Sequence, residues 1–336
     1  MVGMGPVVRL VVEPSLECES LARSEVISAT RAMGSEAKVV TEEPGVLVID
    51  SEADAATLAS RLGLCHFVSV WLGTCDADGI DGCVSDLAVD GPVRVRTTRL
   101  GSSTISVDPM EVTRRVGGVL GRDGGVDLRC PRSDVRILLS EQVHIGRVVA
   151  AVDRASFERR KTRYLPYDQP ISLHPKFARA LVNMASVTTG GRMLDPFCGT
   201  GGIVAEAVLL GMRAVGSDIS GQMIDGAAKN LDSLGLCAEL VECDVADLPS
   251  AIGGVDGIAT DPPYGRSSST NGEDIARLYE RSIRSFSEVL SPGSRVALVV
   301  PDAGLLGTME DFVLEEKHVM RVHRSLTRHF CVLRRI

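Results

Sequence analysis

The segment Asp195-Pro-Phe-Cys-Gly-Thr-Gly-Gly202 decides the fold of the second half of this 336-residue chain. An apolar stretch before it predicts a short strand, and small and aliphatic residues after it predict a helix. Glycines permit a tight turn and let a ligand approach the backbone. The Gly-Lys-Ser/Thr of a phosphate-binding P-loop is absent, and Val204 occupies the last glycine position of a GxGxxG nucleotide fingerprint. The acidic Asp195 favours a cationic ligand instead.

Three acidic residues stand at the ends of three successive predicted strands. Asp195 ends the first strand, Asp218 ends the second and Asp244 follows the third. Because the carboxyl ends of parallel strands share one edge, these acids point to one crevice. There Asp195 can bind a positive amine, Asp218 can bind ribose hydroxyls, and Asp244 can accept from an adenine amine while Val245 lines the ring. An aminoacyl sulfonium such as S-adenosylmethionine carries all of these groups.

The segment Asp261-Pro-Pro-Tyr264 follows the fourth predicted strand. Its two prolines stiffen the backbone, so the carbonyl groups are held in fixed directions. The Asp261 carboxylate and the Pro262 carbonyl can accept the two hydrogens of an exocyclic base amine. These hydrogen bonds would localise the nitrogen lone pair for attack on a methyl group. Tyr264 can stack on the base. We therefore predict catalysis by positioning and electrostatics, carried by Asp261, Pro262, Pro263 and Tyr264.

Strands alternate with helices through the second half, which predicts a mostly parallel, doubly wound sheet. Strands are expected at 192–195, 213–218, 238–243, 255–260 and 295–300, and helices at 174–186, 201–211, 220–234 and 275–290. Two further strands, at 312–322 and 328–334, have no helix between them. We therefore expect the sheet to close with an antiparallel edge.

The first half is less regular and predicts an α+β fold. Strands are expected at 7–12, 46–49, 93–99, 134–139 and 143–152, and helices at 16–33, 53–62 and 109–120. Residues 153–170 are polar and basic, contain two prolines and follow neither period, which is typical of an interdomain linker. The expected domains are therefore 1–152 and 171–336, joined by this linker.

The net charge of −8, averaged over the chain, argues against a nucleic-acid partner, since phosphate backbones favour positive surfaces. The charges are, however, arranged in blocks. Residues 1–91 carry a net charge of −10 and residues 180–316 of −12, whereas residues 92–179 carry +8 and residues 317–336 carry +6. We therefore expect an RNA-binding surface in the two basic blocks and not in the first 91 residues.

Nine cysteines without a CxxC pair predict neither a zinc site nor a disulfide framework, so we expect no metal and a cytoplasmic protein. No apolar run approaches the roughly 18 residues of a membrane span, and the first residues include three glutamates. We expect neither a membrane anchor nor a signal peptide. Cys198 is interpreted as a small buried apolar side chain, because cytosine C5 transfer would need a cysteine where this chain has Pro-Pro.

Residues 171–336 resemble a class I S-adenosylmethionine-dependent methyltransferase acting on amino groups. The resemblance lies in DPFCGTGG, Asp218, Asp244 and DPPY, and in the helix before DPFCGTGG. The whole chain is similar to the archaeal THUMP-containing tRNA guanine-N2 methyltransferases that modify guanosine 10. That narrower match is carried by the alternating tract at 126–149, the basic segment leading into HPKFARALVN, and the tail RVHRSLTRHF at 321–330.

The resemblance implies an α/β, Rossmann-like seven-stranded methyltransferase domain, preceded by an α+β ferredoxin-like/THUMP RNA-binding region. It also implies S-adenosylmethionine as cofactor, tRNA as partner, methylation or dimethylation of a guanine N2 and, as in related enzymes, a small activator protein. The predicted cofactor contacts are His174, Pro175, Asp195, Pro196, Phe197, Cys198, Gly199, Thr200, Gly201, Asp218, Ile219, Met223, Asp244, Val245, Ala246 and Asp261. The predicted RNA contacts, whose forked or extended cations suit phosphates, are Arg129, Arg132, Arg136, Arg159, Arg160, Lys161 and Arg163.

Two alternatives remain open at this point. The same catalytic half would serve a ribosomal-RNA guanine-N2 or a DNA adenine-N6 methyltransferase, although the basic tract in the first half argues against DNA. A non-catalytic RNA-binding module with a relict cofactor site is the other alternative. The intact acids at the three strand ends and the intact DPPY argue against it.

Overall fold

A computed structural model describes residues 6–101, 103–169, 172–265, 274–307, 309–324 and 326–336. The chain forms two compact units. The first comprises residues 1–23, 35–60 and 65–152, and the second comprises 24–34, 61–64 and 153–336. The second unit thus takes in two short segments of the first half together with residues 153–336, which include the segment 153–170 that was expected to be a linker. Residues 170, 171 and 325, which fall in the expected linker, catalytic half and tail, lie outside the described residues.

The first unit is built on a mixed seven-stranded sheet in the order β2-β3-β1-β4-β7-β6-β5. The elements of this half are β1 (Val8–Pro14), α1 (Glu19–Ala32), β2 (Lys38–Glu43), β3 (Val46–Ser51), α2 (Ala55–Arg61), β4 (Cys65–Cys75), α3 (Ile80–Ser85), β5 (Val93–Arg99), α4 (Pro109–Leu120), β6 (Ser133–Leu139) and β7 (Val143–Ala151). Among the described strands of this sheet, β5 and β6 pair in parallel, whereas the other strand pairings are antiparallel. This unit therefore has the α+β architecture that the resemblance implies.

Strands β2 and β4 were not among the predicted elements. The short edge strand β2 (Lys38–Glu43) carries three charged residues, which weakens any strand signal. The side chains of β4 (Cys65–Cys75) do not alternate between buried and exposed, so a period of two is not visible in its sequence. By contrast, α4 begins and ends where predicted, because the Asp108 carboxylate accepts from the Met110 N–H at 3.0 Å and Pro109 occupies the first turn.

The second unit is the predicted doubly wound domain, with strand order β10-β9-β8-β11-β12-β14-β13. Its elements are α5 (Arg154–Arg159), α6 (Pro175–Met184), β8 (Arg192–Asp195), α7 (Gly202–Leu209), β9 (Arg213–Asp218), α8 (Gly221–Ser233), β10 (Glu239–Glu242), α9 (Leu248–Ala251), β11 (Val255–Thr260), α10 (Ile275–Val289), β12 (Leu290–Val300), β13 (Phe312–His323) and β14 (Leu326–Arg335). Helix α5 and a 3-10 turn, Thr162–Tyr164, replace the expected irregular linker. Six residues are too few to show a helical period, and α5 is secured by its Asp153 cap and the buried Phe157.

Five strands of this sheet run parallel, from β10 through β9, β8 and β11 to β12. Strand β14 is antiparallel to both β12 and β13, which confirms the predicted antiparallel closure. A core dominated by aliphatic side chains surrounds the central strands, including Leu194, Ile258, Leu298 and Phe286 of α10. The chain moves outward from β8 to β10 and then returns to β11. The strand order therefore reverses between β8 and β11, the position at which open α/β sheets bind their ligands.

None of the helices in the described part of the chain is long and apolar enough to cross a membrane. All nine cysteines are free thiols. Within the described ranges, no cluster of three or more His, Cys, Asp or Glu side chains has an arrangement suited to a metal ion.

Candidate active site

Asp195 lies at the reversal point of the sheet and links its two halves. Its side chain is 3% exposed. Its Oδ1 accepts from the Thr260 hydroxyl at the end of β11 (2.8 Å) and from the Phe197 N–H (3.3 Å). Burial, with smaller contributions from the Asp261 and Asp218 carboxylates, raises the pKa of Asp195 to about 7. Since both donors are neutral, this buried carboxylate suits a positively charged amine, as the sequence analysis proposed for S-adenosylmethionine.

The glycine loop after β8 is held in place by β9. Gly199 and Gly201 adopt the left-handed backbone conformation, with φ of +47° and +83°. A Cβ on Gly201 would lie 3.2 Å from the Cβ of Ala227 on α8, so both φ and space require glycine there. The Gly199 N–H donates to Asp218 Oδ2 at 3.1 Å. The loop thus leads directly into α7, with Gly201 at the N-terminal cap of that helix.

Asp218 ties together two segments that border the crevice. Its Oδ2 accepts from Gly199, and its Oδ1 accepts from the Ser220 N–H at 3.0 Å, just before α8. Burial raises the pKa of this carboxyl above its usual value. A carboxylate has about four acceptor positions, so the two backbone contacts leave room for ribose hydroxyls. The ribose contact of Asp218 stays a prediction, and its two backbone contacts are a structural role that the sequence did not indicate.

Asp244 forms an ion pair that the sequence analysis did not predict. Arg281 of α10 donates to both carboxylate oxygens, from Nη1 to Oδ1 and from Nη2 to Oδ2 at 3.0 Å. Oδ1 also accepts from the Ala246 N–H at 2.8 Å. The Arg281 guanidinium holds the pKa of Asp244 below its usual range. The predicted contact with an adenine amine would therefore share an already paired carboxylate.

Asp261 and Tyr264 form one hydrogen-bonded pair beside the end of β11. The Tyr264 hydroxyl donates to Asp261 Oδ1 at 2.6 Å. Tyr279 of α10 donates to the Pro263 carbonyl at 3.3 Å, which secures the turn. Burial raises the pKa of Asp261 to about 6, against the opposing effects of Tyr264 and Arg328. The acceptor expected to engage the base amine is thus ionised above about pH 6.

The remaining predicted cofactor contacts differ in burial. Pro196 and Cys198 are buried in the glycine loop, where burial raises the pKa of the Cys198 thiol and leaves it protonated. Thr200 is buried, and its hydroxyl lies 3.2 Å from that of Ser172. Val245 is buried as well, whereas Ile219 and Ala246 are exposed. The Met223 sulfur lies 3.9 Å from the Tyr167 hydroxyl.

His174 and Pro175 begin helix α6 and have structural roles there. His174 Nδ1 accepts from the Lys176 N–H at 3.2 Å, and Nε2 lies 3.0 Å from Glu158 Oε1. Burial lowers the pKa of His174, so a neutral imidazole is favoured near pH 7. Pro175 is buried in the first turn. The described hydrogen bonds of His174 run to these neighbours and not to the four crevice acids.

The predicted RNA contacts differ in exposure. Arg129, Arg132, Arg159 and Arg163 are exposed, and Arg159 forms an ion pair with the exposed Asp153 at 3.5 Å. Arg163 packs on the exposed Tyr164 ring, with its guanidinium carbon 4.6 Å from the ring centroid. Lys161 is half-buried and pairs with Glu158.

Arg136 and Arg160 have a different role from the one predicted. Arg136 is buried in the first unit, with Nη2 at 2.7 Å from Glu13 Oε2. Arg160 pairs with the buried Glu206 at 2.7 Å, a carboxylate that Arg179 also binds. A guanidinium that neutralises a buried carboxylate cannot leave it for a phosphate without a large desolvation cost. Both guanidinium groups are therefore engaged within the fold.

The second unit is a doubly wound sheet with acids at the ends of β8 and β9, a third acid after β10 and an Asp-Pro-Pro-Tyr turn after β11. These features define a class I S-adenosylmethionine-dependent methyltransferase. Residues 162–329 match the family model described as an RMKL-like methyltransferase domain. The chain is 34% identical over 330 residues to the tRNA (guanine(10)-N2)-dimethyltransferase of Methanothermobacter thermautotrophicus, covering 96% of this chain and 98% of that protein.

Two further comparisons involve Thermus thermophilus. The tRNA (guanine(6)-N2)-methyltransferase of that organism is 32% identical over 223 residues, 64% of each chain. The crystal structure of TrmN from the same species aligns with a TM-score of 0.55 and 25% identity, covering 98% of this chain and all of that one. The chain belongs to the family of tRNA guanine-N2 methyltransferases that includes the archaeal guanosine-10 enzymes.

Proposed function

We propose that this protein transfers methyl groups from S-adenosylmethionine to the exocyclic N2 of a guanine in tRNA, at guanosine 10, giving N2-methylguanosine and then N2,N2-dimethylguanosine. The observation that carries the proposal is the Asp261–Tyr264 pair, which lies across the sheet reversal from the buried Asp195. Position 10 is favoured over position 6 because the similarity to the guanosine-10 enzyme extends over 96% of the chain.

The crevice residues fit the cofactor part by part. Asp195 would bind the amino group, the Gly199–Gly201 loop would admit the methionine portion, Asp218 would accept from the ribose, and Val245 would line the adenine. When bound, the cofactor supplies an electrophilic methyl group on a sulfonium. The Asp195 carboxylate would then no longer lack a cation, so its pKa would fall from about 7.

Asp261 and the Pro262 carbonyl would accept the two N2 hydrogens of an extruded guanine. The N2 lone pair is delocalised into the ring, and these acceptors oppose that delocalisation while they fix the direction of attack. The Tyr264 ring would stack on the base. With a pKa of about 6, Asp261 is ionised at neutral pH and can take the departing proton or pass it to water. Extrusion of the base is needed because a stacked, paired N2 is out of reach.

The tRNA backbone would meet the exposed cations. These are Arg129 and Arg132 in the first unit and Arg159 and Arg163 in the second. Because binding would release counterions from phosphates, tRNA affinity should fall steeply with salt although the sequence pI is near 5.4. We also propose that the enzyme acts in the cytoplasm. A small activator protein remains a prediction that copurification from the native source would test.

Methyl transfer with labelled cofactor tests the function. The substrates are an unmodified tRNA transcript, a variant transcript with guanosine 10 replaced by adenosine, a variant transcript with guanosine 6 replaced, total ribosomal RNA and duplex DNA. We expect N2-methylated guanosine from the unmodified transcript and from the guanosine-6 variant. The guanosine-10 variant should give none. Loss of product only on replacing guanosine 6 would move the site, and N6-methyladenine or product from ribosomal RNA alone would overturn the proposal.

A further inference from the structure

The ion pair between Arg281 of α10 and Asp244 lies at the crevice edge of the second sheet. Strands β9 and β10 run parallel in a register that pairs Asp218 with Glu242. The next residue, Cys243, donates its N–H to the Asp218 carbonyl at 3.1 Å. Asp244 therefore follows directly beyond the level of Asp218, at the edge where open α/β sheets bind their ligands.

Helix α10 brings the Arg281 guanidinium to this edge. Leu278 and Ser285 stand one helical turn before and after Arg281, and both are buried. Arg284, also one turn away, is exposed. Arg281 therefore lies at the border between the buried and exposed faces of the helix, from which its long side chain reaches Asp244.

The contacts on Asp244 leave one acceptor position open. A carboxylate has about four acceptor positions, shared equally by its two oxygens. Arg281 Nη1 donates to Oδ1, and Nη2 donates to Oδ2 at 3.0 Å. The Ala246 N–H also donates to Oδ1, at 2.8 Å. Within the described part of the chain, both positions on Oδ1 are thus filled and one position on Oδ2 remains for a ligand.

The orientation of Asp244, more than the stability of the fold, is what this ion pair controls. The Arg281 and Asp244 side chains are 32% and 26% exposed, whereas those of the buried pair Arg136 and Glu13 are 9% and 5% exposed. Ion pairs that are partly exposed contribute little to the free energy of unfolding. A forked guanidinium that binds both oxygens nevertheless fixes the plane of a carboxylate.

We propose that Arg281 is a positioning residue that makes the cofactor site select adenine, by holding Asp244 so that Oδ2 is the acceptor offered to the amine at C6. The proposal rests on the proposed function, since it takes Asp244 to face the adenine of S-adenosylmethionine. Hypoxanthine has a carbonyl at C6 and a hydrogen at N1. A fixed carboxylate cannot donate to that carbonyl and cannot turn toward the N1 hydrogen, whereas a carboxylate that Arg281 no longer holds can turn.

Titration calorimetry of the full-length protein with S-adenosylhomocysteine and S-inosylhomocysteine tests this selection. We expect the wild type to bind the adenosyl compound about 10- to 100-fold more tightly, because the inosyl compound loses a charge-assisted hydrogen bond. Arg281→Gln should reduce this ratio about 10-fold, through weaker binding of the adenosyl compound. Arg281→Lys supplies a point charge that cannot hold both oxygens, so it should give an intermediate ratio.

The double variant Asp244→Asn/Arg281→Gln shows whether Arg281 acts through Asp244. Asp244→Asn alone should abolish the selection, since its amide can donate to the hypoxanthine carbonyl. Adding Arg281→Gln should then change neither affinity further. In methyl transfer, Arg281→Gln should raise the KM for S-adenosylmethionine about 10-fold and leave kcat unchanged, because the adenine contact is made equally in the ground state and the transition state.

Arg284→Gln, on the exposed side of α10, is the matched control and should leave both affinities unchanged. If Arg281→Gln weakens the two compounds by the same factor, the arginine has a general structural role and the proposal is wrong. Additive losses in the double variant would also contradict it. Should Arg281→Gln fail to fold, a wild-type ratio in Arg281→Lys would overturn the proposal.

The wild type separates this proposal from the proposed function. An enzyme that makes N2-methylguanosine but binds the adenosyl and inosyl compounds equally would overturn the role of Arg281 and leave the function intact. An enzyme that makes no N2-methylguanosine would overturn the proposed function, whatever the ratio of the two affinities.

Discussion

Glu13 in the first unit and Asp195 in the second are almost equally buried, at 4% and 3% exposure, but their surroundings differ. Arg136 binds both oxygens of Glu13, whereas the described donors to Asp195 are a hydroxyl and a backbone amide. The Glu13 charge is thus neutralised within the fold. The Asp195 charge needs a cation that the described structure does not provide. The Asp195 carboxylate, at the reversal point of its sheet, therefore suits a cationic ligand, whereas the Glu13–Arg136 pair belongs to the architecture of the first unit.

The largest expected effect lies on the architectural side. Arg136→Met would leave Glu13 buried and unpaired, and should lower the free energy of unfolding by about 3–5 kcal/mol. Without Arg136 the pKa of Glu13 in the folded state would rise further, so the loss should be greatest at neutral pH and should diminish as Glu13 becomes protonated. Urea unfolding at pH 7 and pH 5 measures both effects.

The double variant Glu13→Leu/Arg136→Met is the matched control for that experiment. It removes both charges and should recover most of the lost stability, because no unpaired ion remains. The Phe67 ring lies 4.2 Å from the Arg136 guanidinium carbon. Equal destabilisation of the single and double variants would show that the stability is lost with this packing contact and not with the ion pair.

The catalytic acceptor should show the next largest effect. Asp261→Ala should retain cofactor binding and lower kcat about 100- to 1,000-fold, since an electrostatic contact to the reacting amine is removed. Asp261→Asn keeps one acceptor oxygen and should lose less. Single-turnover methylation of tRNA, with cofactor affinity measured in parallel, tests this; unchanged turnover in Asp261→Ala would remove Asp261 from the mechanism.

Asp195→Asn should weaken cofactor binding about 10- to 100-fold, because a charge-assisted hydrogen bond becomes a neutral one. In the wild type, Asp195 must lose its proton to bind an amine, so affinity should rise as the pH rises through about 7. The variant should lack this rise. Calorimetric titration between pH 6 and pH 8 checks both points, and an identical pH dependence in the two proteins would contradict the assignment.

The smallest expected effect distinguishes exposed from paired arginines. Arg163→Gln should weaken tRNA binding a few-fold and reduce the salt slope by about one unit, since one phosphate contact is lost. Arg160→Gln should destabilise the second unit, because the buried Glu206 would keep only one of its two guanidinium partners, and should leave the salt slope unchanged. Filter binding at several salt concentrations separates the two, and a changed slope for Arg160→Gln would return that residue to the RNA surface.

Local sequence was enough to predict the elements that build the crevice. Strand β8, the glycine loop and Asp261–Tyr264 have short-range signals, because turn glycines, prolines and strand-end acids act within a few residues. The sequence did not reveal the partners of the charged side chains. Arg281, which pairs with Asp244, lies 37 residues beyond it and belongs to no local motif. Its only signal was a charged position on an amphipathic helix.

The sequence by itself determined the class of fold, the acidic edge of its second sheet and the nature of its cofactor, since these follow from periodicity and from residue types at strand ends. Tertiary structure alone decided which charges are available. Seven cations were equivalent as RNA contacts in the sequence, but folding buried Arg136 against Glu13 and placed Arg160 on Glu206. The free energy of a charge depends on burial and on the nearest countercharge, and both are set by distant parts of the chain.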